Sequence, residues 1–133
     1  MSDGERLRIL LAEDNTAMRQ TLRELLEDEG LDVVGEAGDG VEAVERAHEL
    51  RPDLILMDLR MPRMDGIEAT RLVKEGVPGV RVLMLSAYAD PSLTERATAV
   101  GADGYVVKGT SYQVLVTEIE RVTSPGLPSR SPA

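Results

Sequence analysis

Short apolar runs alternate along this chain with amphipathic stretches, and that alternation narrows the fold more than any other feature. The runs are Leu7–Ala12, Leu31–Glu36, Leu54–Asp58, Val80–Ser86 and Gly104–Lys108. They are short, rich in Leu, Ile, Val or Met, and show almost no polar alternation. A strand with one wet face alternates, whereas a strand buried on both faces reads as an unbroken apolar run. The runs therefore predict buried strands of a parallel sheet.

Between them lie helical patterns. Asn15–Glu29 carries Met18, Leu22, Leu25 and Leu26 at helical spacing. Gly40–Arg51 carries Val41, Val44, Ala47, His48 and Leu50, and Ile67–Gly76 carries Ile67, Thr70, Leu72 and Val73. Pro91–Val100 begins with Pro in its first turn, behind Asp90. Ser111–Thr123 carries Val114, Leu115, Ile119 and Val122, with Thr110 or Ser111 as its cap. Gly30 and Gly101 fall where helices should stop. The order is βαβαβαβαβα. Right-handed crossovers then place helices on both faces of one five-stranded parallel sheet, a (βα)5 doubly wound, flavodoxin-like α/β arrangement. Ligands of such sheets bind outside the carboxyl ends of the strands.

Length allows one domain and no second: the chain has 133 residues. We expect that domain over residues 1–123, and a disordered tail or linker over 124–133, where SPGLPSRSPA is rich in Pro and Ser. Hydrophobic residues make up 42% of the chain, enough for a core, and the absence of Phe and Trp makes that core aliphatic. The formal net charge of -9 argues against direct nucleic-acid binding, which needs clustered Lys and Arg. Without Cys there is no disulfide or thiolate chemistry, and a single His cannot build a histidine metal cluster. The opening MSDGERLRILLAEDN carries charges where a signal peptide would be apolar, and no run is long enough to span a membrane, so a cytoplasmic protein is expected.

The strand ends carry the chemistry. The first run ends in Ala12-Glu13-Asp14-Asn15 and the third in Leu56-Met57-Asp58. If these strands are neighbours, three carboxylates converge. Like charges so close raise one another's pKa, and a bound Mg²⁺ relieves the strain because it takes hard oxygen ligands. The fourth run ends at Ser86 and the fifth at Lys108, adding a hydroxyl and an ammonium to the same edge. Taken singly, each of these residues is a cap, a turn residue or a surface charge. Together they supply what phosphoryl transfer needs: a nucleophile, a metal site, and donors for the remaining charge.

The segment Leu54–Gly66, LILMDLRMPRMDG, closely resembles the phosphorylation-site segment of two-component receiver domains. The flanks agree: LLAEDN at Leu10–Asn15, LMLSAY at Leu83–Tyr88 and GADGYVVKG at Gly101–Gly109. The phrase VVGEAGDGVEAVERAHELRPDLILMD resembles the NarL/FixJ-type branch, whose full-length members usually carry a helix-turn-helix output domain. The resemblance implies a phosphorylation-activated signalling switch, with Asp58 as phosphoacceptor. It implies that Glu13, Asp14, Asp58 and the backbone carbonyl of Arg60 bind Mg²⁺ or Mn²⁺. Lys108 would pair with the phosphoryl group, and Ser86 would bond one of its oxygens and move toward it. Tyr105 would be the aromatic switch that follows Ser86 inward. Met61-Pro62 and Asp65-Gly66 shape the loop after Asp58. The implied phosphodonor is a sensor histidine kinase or phosphotransfer protein. The implied output is transcriptional regulation through an output domain or partner on the face of the fourth helix, fifth strand and fifth helix. A phosphorylation-dependent homodimer is a further expectation.

This chain departs from the family pattern in three places. Glu13 stands where Asp is usual, Ser86 replaces a more frequent Thr, and Gly109 follows Lys108 where many receivers have proline. Arg60 and Tyr88, two past Asp58 and Ser86, occupy positions that flank the hydrolytic water in the family. Both are bulky, which predicts slow self-dephosphorylation.

Other signals point away from chemistry. Gly35–Gly40, GEAGDG, does not match a dinucleotide-binding fingerprint and reads as a turn. His48 lies in the second helical pattern, away from the strand ends, and Met57, Met61, Met64 and Met84 read as packing. Two other functions are compatible with the same fold. An interaction module independent of phosphate would not need the intact set of Glu13, Asp14, Asp58, Ser86 and Lys108. An aspartyl-nucleophile phosphohydrolase of the haloacid-dehalogenase type would want D-x-D, where this chain has Asp58-Leu59-Arg60 and no cap domain. A regulatory phosphoacceptor rather than an enzyme is therefore expected.

Overall fold

The computed structural model describes residues 6–124. Strands and helices alternate: β1 (Arg8–Ala12), α1 (Thr16–Asp28), β2 (Asp32–Ala37), α2 (Gly40–Leu50), β3 (Leu54–Asp58), α3 (Gly66–Gly76), β4 (Arg81–Ser86), α4 (Pro91–Ala99), β5 (Gly104–Val107) and α5 (Tyr112–Thr123). The expected tail lies outside the described residues except for Ser124. All strand pairings are parallel, and the sheet order is β2-β1-β3-β4-β5. β1 and β3 are thus neighbours, which meets the condition for their acids to meet.

The unbroken apolar runs have a direct cause. Alternate side chains of each strand enter different cores. Leu10, Ala12, Ile55, Met57, Val82 and Met84 pack with Ala43 and Ala47 of α2, Ala69 and Val73 of α3, and Ala97 of α4. Ile9, Leu11, Leu54, Leu56, Leu83 and Leu85 face the other way, onto Leu22 and Leu26 of α1 and Leu115, Ile119 and Val122 of α5. Each fully buried Leu or Ile contributes about 1.5–3 kcal/mol. The alanines on the first side let three helices approach where large residues would hold them off.

Helix starts follow capping chemistry. Asn15, Asp39, Asp65 and Asp90 each accept a backbone N–H from the first turn of their helix. The expected cap on α5 differs. Ser111 holds the capping position but makes no side-chain cap bond. The start of α5 is tied down instead by Tyr112, whose hydroxyl donates to the Leu25 carbonyl at 2.6 Å and joins α5 to α1. Burial first, and then the nearby Glu29 and Asp28 carboxylates, push the Tyr112 phenol up to about 12.

One glycine is required by proximity to the site. A Cβ on Gly66 would come within 2.2 Å of the Asp58 carbonyl oxygen, so only Gly lets α3 begin against the end of β3.

Candidate functional site

Strand register sets the site. Ala12 lies beside Met57, so the next residues, Glu13 and Asp58, leave the sheet side by side. Asp58 pairs with Leu85, one residue before Ser86, and Ser86 pairs with Val107, one residue before Lys108. Four strand ends therefore reach one level of the carboxyl edge. The strand ends at Val107, one residue short of the expected run Gly104–Lys108, and Lys108 begins the turn. Its N–H still donates to the Ser86 carbonyl, at 2.6 Å.

Glu13, Asp14 and Asp58 each offer a carboxylate oxygen, and these lie within 4.8 Å of one another. Glu13 and Asp58 are buried, and Asp14 is exposed. The Lys108 ammonium sits 2.6 Å from Glu13 Oε1 and 3.1 Å from Asp58 Oδ2. With all three acids ionised, three carboxylates against one ammonium leave two negative charges, the charge a divalent cation neutralises. The donors are hard oxygens, which suits Mg²⁺ or Mn²⁺. The Arg60 carbonyl, another candidate donor, accepts no hydrogen bond among the described residues.

The two buried acids are driven apart. Burial above all, then the hydrogen-bonded Glu13 carboxylate, pushes Asp58 up to about 7, against the pull of Lys108. Burial also opposes ionisation of Glu13, but Lys108 and the Asn15 N–H outweigh it and hold its carboxyl below the ordinary value. Lys108 loses hydration too, yet its two carboxylate partners keep it more firmly protonated than a free lysine. The result is an ionised Glu13, a charged Lys108, and an Asp58 that shares a proton near neutrality.

The remaining expected residues surround this centre. Ser86 is buried, and its Oγ accepts the Tyr88 N–H at 3.1 Å. Tyr105 is half-buried and donates its hydroxyl to the Tyr88 carbonyl at 3.1 Å. Arg60 is exposed, and its guanidinium carbon lies 5.1 Å from the centroid of the Tyr88 ring. His48 lies on α2, an exposed residue whose Nδ1 is 2.9 Å from the Val44 carbonyl. GEAGDG forms the end of β2 and the turn into α2, where Asp39 caps the helix.

Two further residues that were not among the expected site residues reach the site. Arg19 of α1 donates to the Glu13 carbonyl at 2.5 Å and pairs with Glu36 of β2 at 2.7 Å. The sequence signals are weak: Arg19 lies a turn past the capping Asn15, and Glu36 ends an apolar run inside the segment that resembles the family.

A doubly wound parallel sheet with acids and a lysine at its carboxyl edge defines a class of α/β signalling domain. The chain belongs to the response regulator receiver domain family, whose model matches residues 9–120. It is 40% identical over 122 residues to the transcriptional regulatory protein LnrK of Bacillus subtilis, covering 91% of this chain and 56% of that protein. It is 44% identical over 119 residues to the transcriptional regulatory protein PdtaR of Mycobacterium tuberculosis, covering 88% of this chain and 57% of that protein. The chain thus spans little more than half the length of these curated relatives. Among solved structures it resembles the signal receiver domain of the response regulator NarL from Mycobacterium tuberculosis, with a TM-score of 0.86 and 31% identity over 91% of this chain and 98% of that one. The expected branch agrees with that neighbour. No described helix is long and apolar enough to cross a membrane.

Proposed function

We propose that this domain is a phosphorylation-activated switch of a two-component system, accepting a phosphoryl group on Asp58. The observation that carries the reading is the placement of a buried Asp58 beside two further carboxylates and 3.1 Å from the Lys108 ammonium. In the reaction, an Asp58 carboxylate oxygen attacks phosphorus. The bond from phosphorus to the donor's histidine nitrogen breaks, and the phosphoryl group passes to Asp58. Glu13, Asp14, Asp58 and the Arg60 carbonyl would hold the divalent cation. When bound, that cation neutralises the acids and the phosphoryl oxygens. Lys108 is already charged and supplies a fixed cation for the phosphoryl group. Ser86 can turn its hydroxyl from the Tyr88 N–H toward a phosphoryl oxygen.

The donor in this reading is a sensor histidine kinase or phosphotransfer protein. The signal leaves through α4, β5 and α5, where the Tyr105 hydroxyl links β5 to the turn before α4. Phosphate at Asp58 biases this face between two arrangements, which an output domain or partner reads. Regulation of transcription is the proposed output, and the names of the relatives support it. The net charge of -9 assigns any nucleic-acid contact to another part of the system. We place the functional unit at residues 1–123 and include a phosphorylation-dependent homodimer in the proposal. The domain's own chemistry is then confined to its phosphorylation and dephosphorylation.

The test is intact mass after incubation with acetyl phosphate and Mg²⁺, for wild type and Asp58→Asn. One added phosphoryl group, dependent on Mg²⁺ and absent from the Asn variant, is expected. No adduct in excess Mg²⁺, together with no binding of beryllofluoride, would replace this reading with a phosphate-independent interaction module.

A further inference from the structure

Glu13 is held along its whole length. Its N–H donates to the Ala37 carbonyl at 2.9 Å. Its carbonyl accepts Arg19 Nη1 at 2.5 Å. One carboxylate oxygen accepts the Asn15 N–H at 3.0 Å, and the other accepts Lys108 Nζ at 2.6 Å. Asp14 is different. It is exposed, and among the described residues its carboxylate has no hydrogen bond or ion pair. Its direction is therefore set by the backbone that carries it. The peptide joining Glu13 to Asp14 is planar, so a donor that fixes its carbonyl oxygen fixes the plane and the path into Asp14.

That donor is Arg19, and it is itself immobilised. Its Nε donates to Glu36 Oε1 at 2.7 Å, and the other Glu36 oxygen is taken by Arg23. Arg19 is the more enclosed of the two arginines, with 19% of its side chain exposed against 38% for Arg23. Glu36 also neutralises a cation that would otherwise stand one peptide away from the acids and repel a metal ion. The flat guanidinium can serve the carbonyl and the carboxylate together, whereas a lysine ammonium cannot reproduce that fork.

We propose that Arg19, braced by Glu36, is a positioning residue for divalent-cation binding, orienting the Glu13–Asp14 peptide so that both carboxylates face the cation. This rests on the phosphoacceptor reading given above. Residues that orient ligands typically change metal affinity by about 10–100-fold when removed.

The test measures Mg²⁺ affinity by isothermal titration of the full chain at fixed pH and ionic strength. In parallel, unfolding in EDTA reports stability without metal. Arg19→Met should weaken Mg²⁺ binding about tenfold or more, and Arg19→Lys should recover part of the loss. Glu36→Gln should also weaken binding, because it leaves Arg19 charged and untethered. A merely structural role would lower stability in EDTA and leave Mg²⁺ affinity alone. If Arg19→Met does not fold, Arg19→Lys and Glu36→Gln carry the measurement. Affinities within twofold of wild type in the folded variants would overturn the proposal while the phosphoacceptor reading stands. Wild type that binds no Mg²⁺, or binds it unchanged in Asp58→Asn, would overturn that reading and this proposal with it.

Discussion

Asp58, the proposed phosphoacceptor, is held in the metal-free fold where burial and the Glu13 carboxylate oppose its ionisation. A folded Asp58 keeps its proton up to about pH 7, whereas an unfolded aspartate loses it near 3.8. Between those values the folded state binds more protons, so this residue's contribution to stability falls as pH rises from about 4 to 7 and stays low above. Asn at this position cannot ionise. In EDTA at pH 8, Asp58→Asn should be more stable than wild type by roughly 1–3 kcal/mol, the cost of a poorly compensated buried polar group. At pH 4 the two should nearly coincide. Paired urea titrations would check this, and an equal gap at both pH values would refute it. Arg60 and Tyr88 raise a second question of single side chains. The Arg60 guanidinium carbon lies 5.1 Å from the Tyr88 ring centroid, and both side chains are bulky. Replacing both with Ala should shorten the life of the phosphoryl adduct roughly tenfold, about 1.4 kcal/mol of barrier. An unchanged decay of the mass adduct would defeat the idea of slow self-dephosphorylation.

Helices and strands are joined at the edge opposite the site by a charge that is not catalytic. Asp103, which precedes β5, is 3% exposed. Its Oδ2 accepts the Val82 N–H at 2.9 Å and Lys74 Nζ at 2.7 Å, and Arg81 approaches within 3.7 Å. One carboxylate thus ties α3, β4 and β5 together. Removing one member of a buried pair costs about 3–5 kcal/mol, but Lys74 keeps partial access to water. Asp103→Ala should therefore lose about 2–4 kcal/mol by urea denaturation. The proposed phosphoacceptor Asp58 lies at the other end of the strands, so its phosphoryl adduct should still form in the folded fraction. A loss below 1 kcal/mol would show that the backbone alone holds these elements together.

Taken as one body, the chain carries a net charge of -9, and part of it converges at one edge. A ligand that binds only the folded state stabilises it by mass action, about 2.7 kcal/mol at a concentration of 100 times its Kd. Mg²⁺ at that level should raise the Tm by several degrees, and Asp14→Ala should abolish most of the rise. The same shift given by an equal ionic strength of NaCl would mean screening of the net charge and not a site.

Much of this molecule could be read along its chain. Both faces of each strand are buried, so the strands left unbroken apolar runs, and the caps Asn15, Asp39, Asp65 and Asp90 are local chemistry within a few residues of their helices. Glu13, Asp14, Asp58, Ser86 and Lys108 stood out because each ends, or directly follows, such a run. Their convergence did not follow from those positions alone, since it depends on β1 lying beside β3 and on the register of Ala12 with Met57. The high pKa of Asp58 needed more still, because burial and a neighbouring carboxylate are properties of packed space. The roles of Arg19, Glu36 and Asp103 could not be read from their positions, although Glu36 and Asp103 lie inside segments that resemble the family. An arginine on a helix and an acid on a strand look like surface charges until chain folding brings a carbonyl, a guanidinium and a carboxylate within hydrogen-bonding distance.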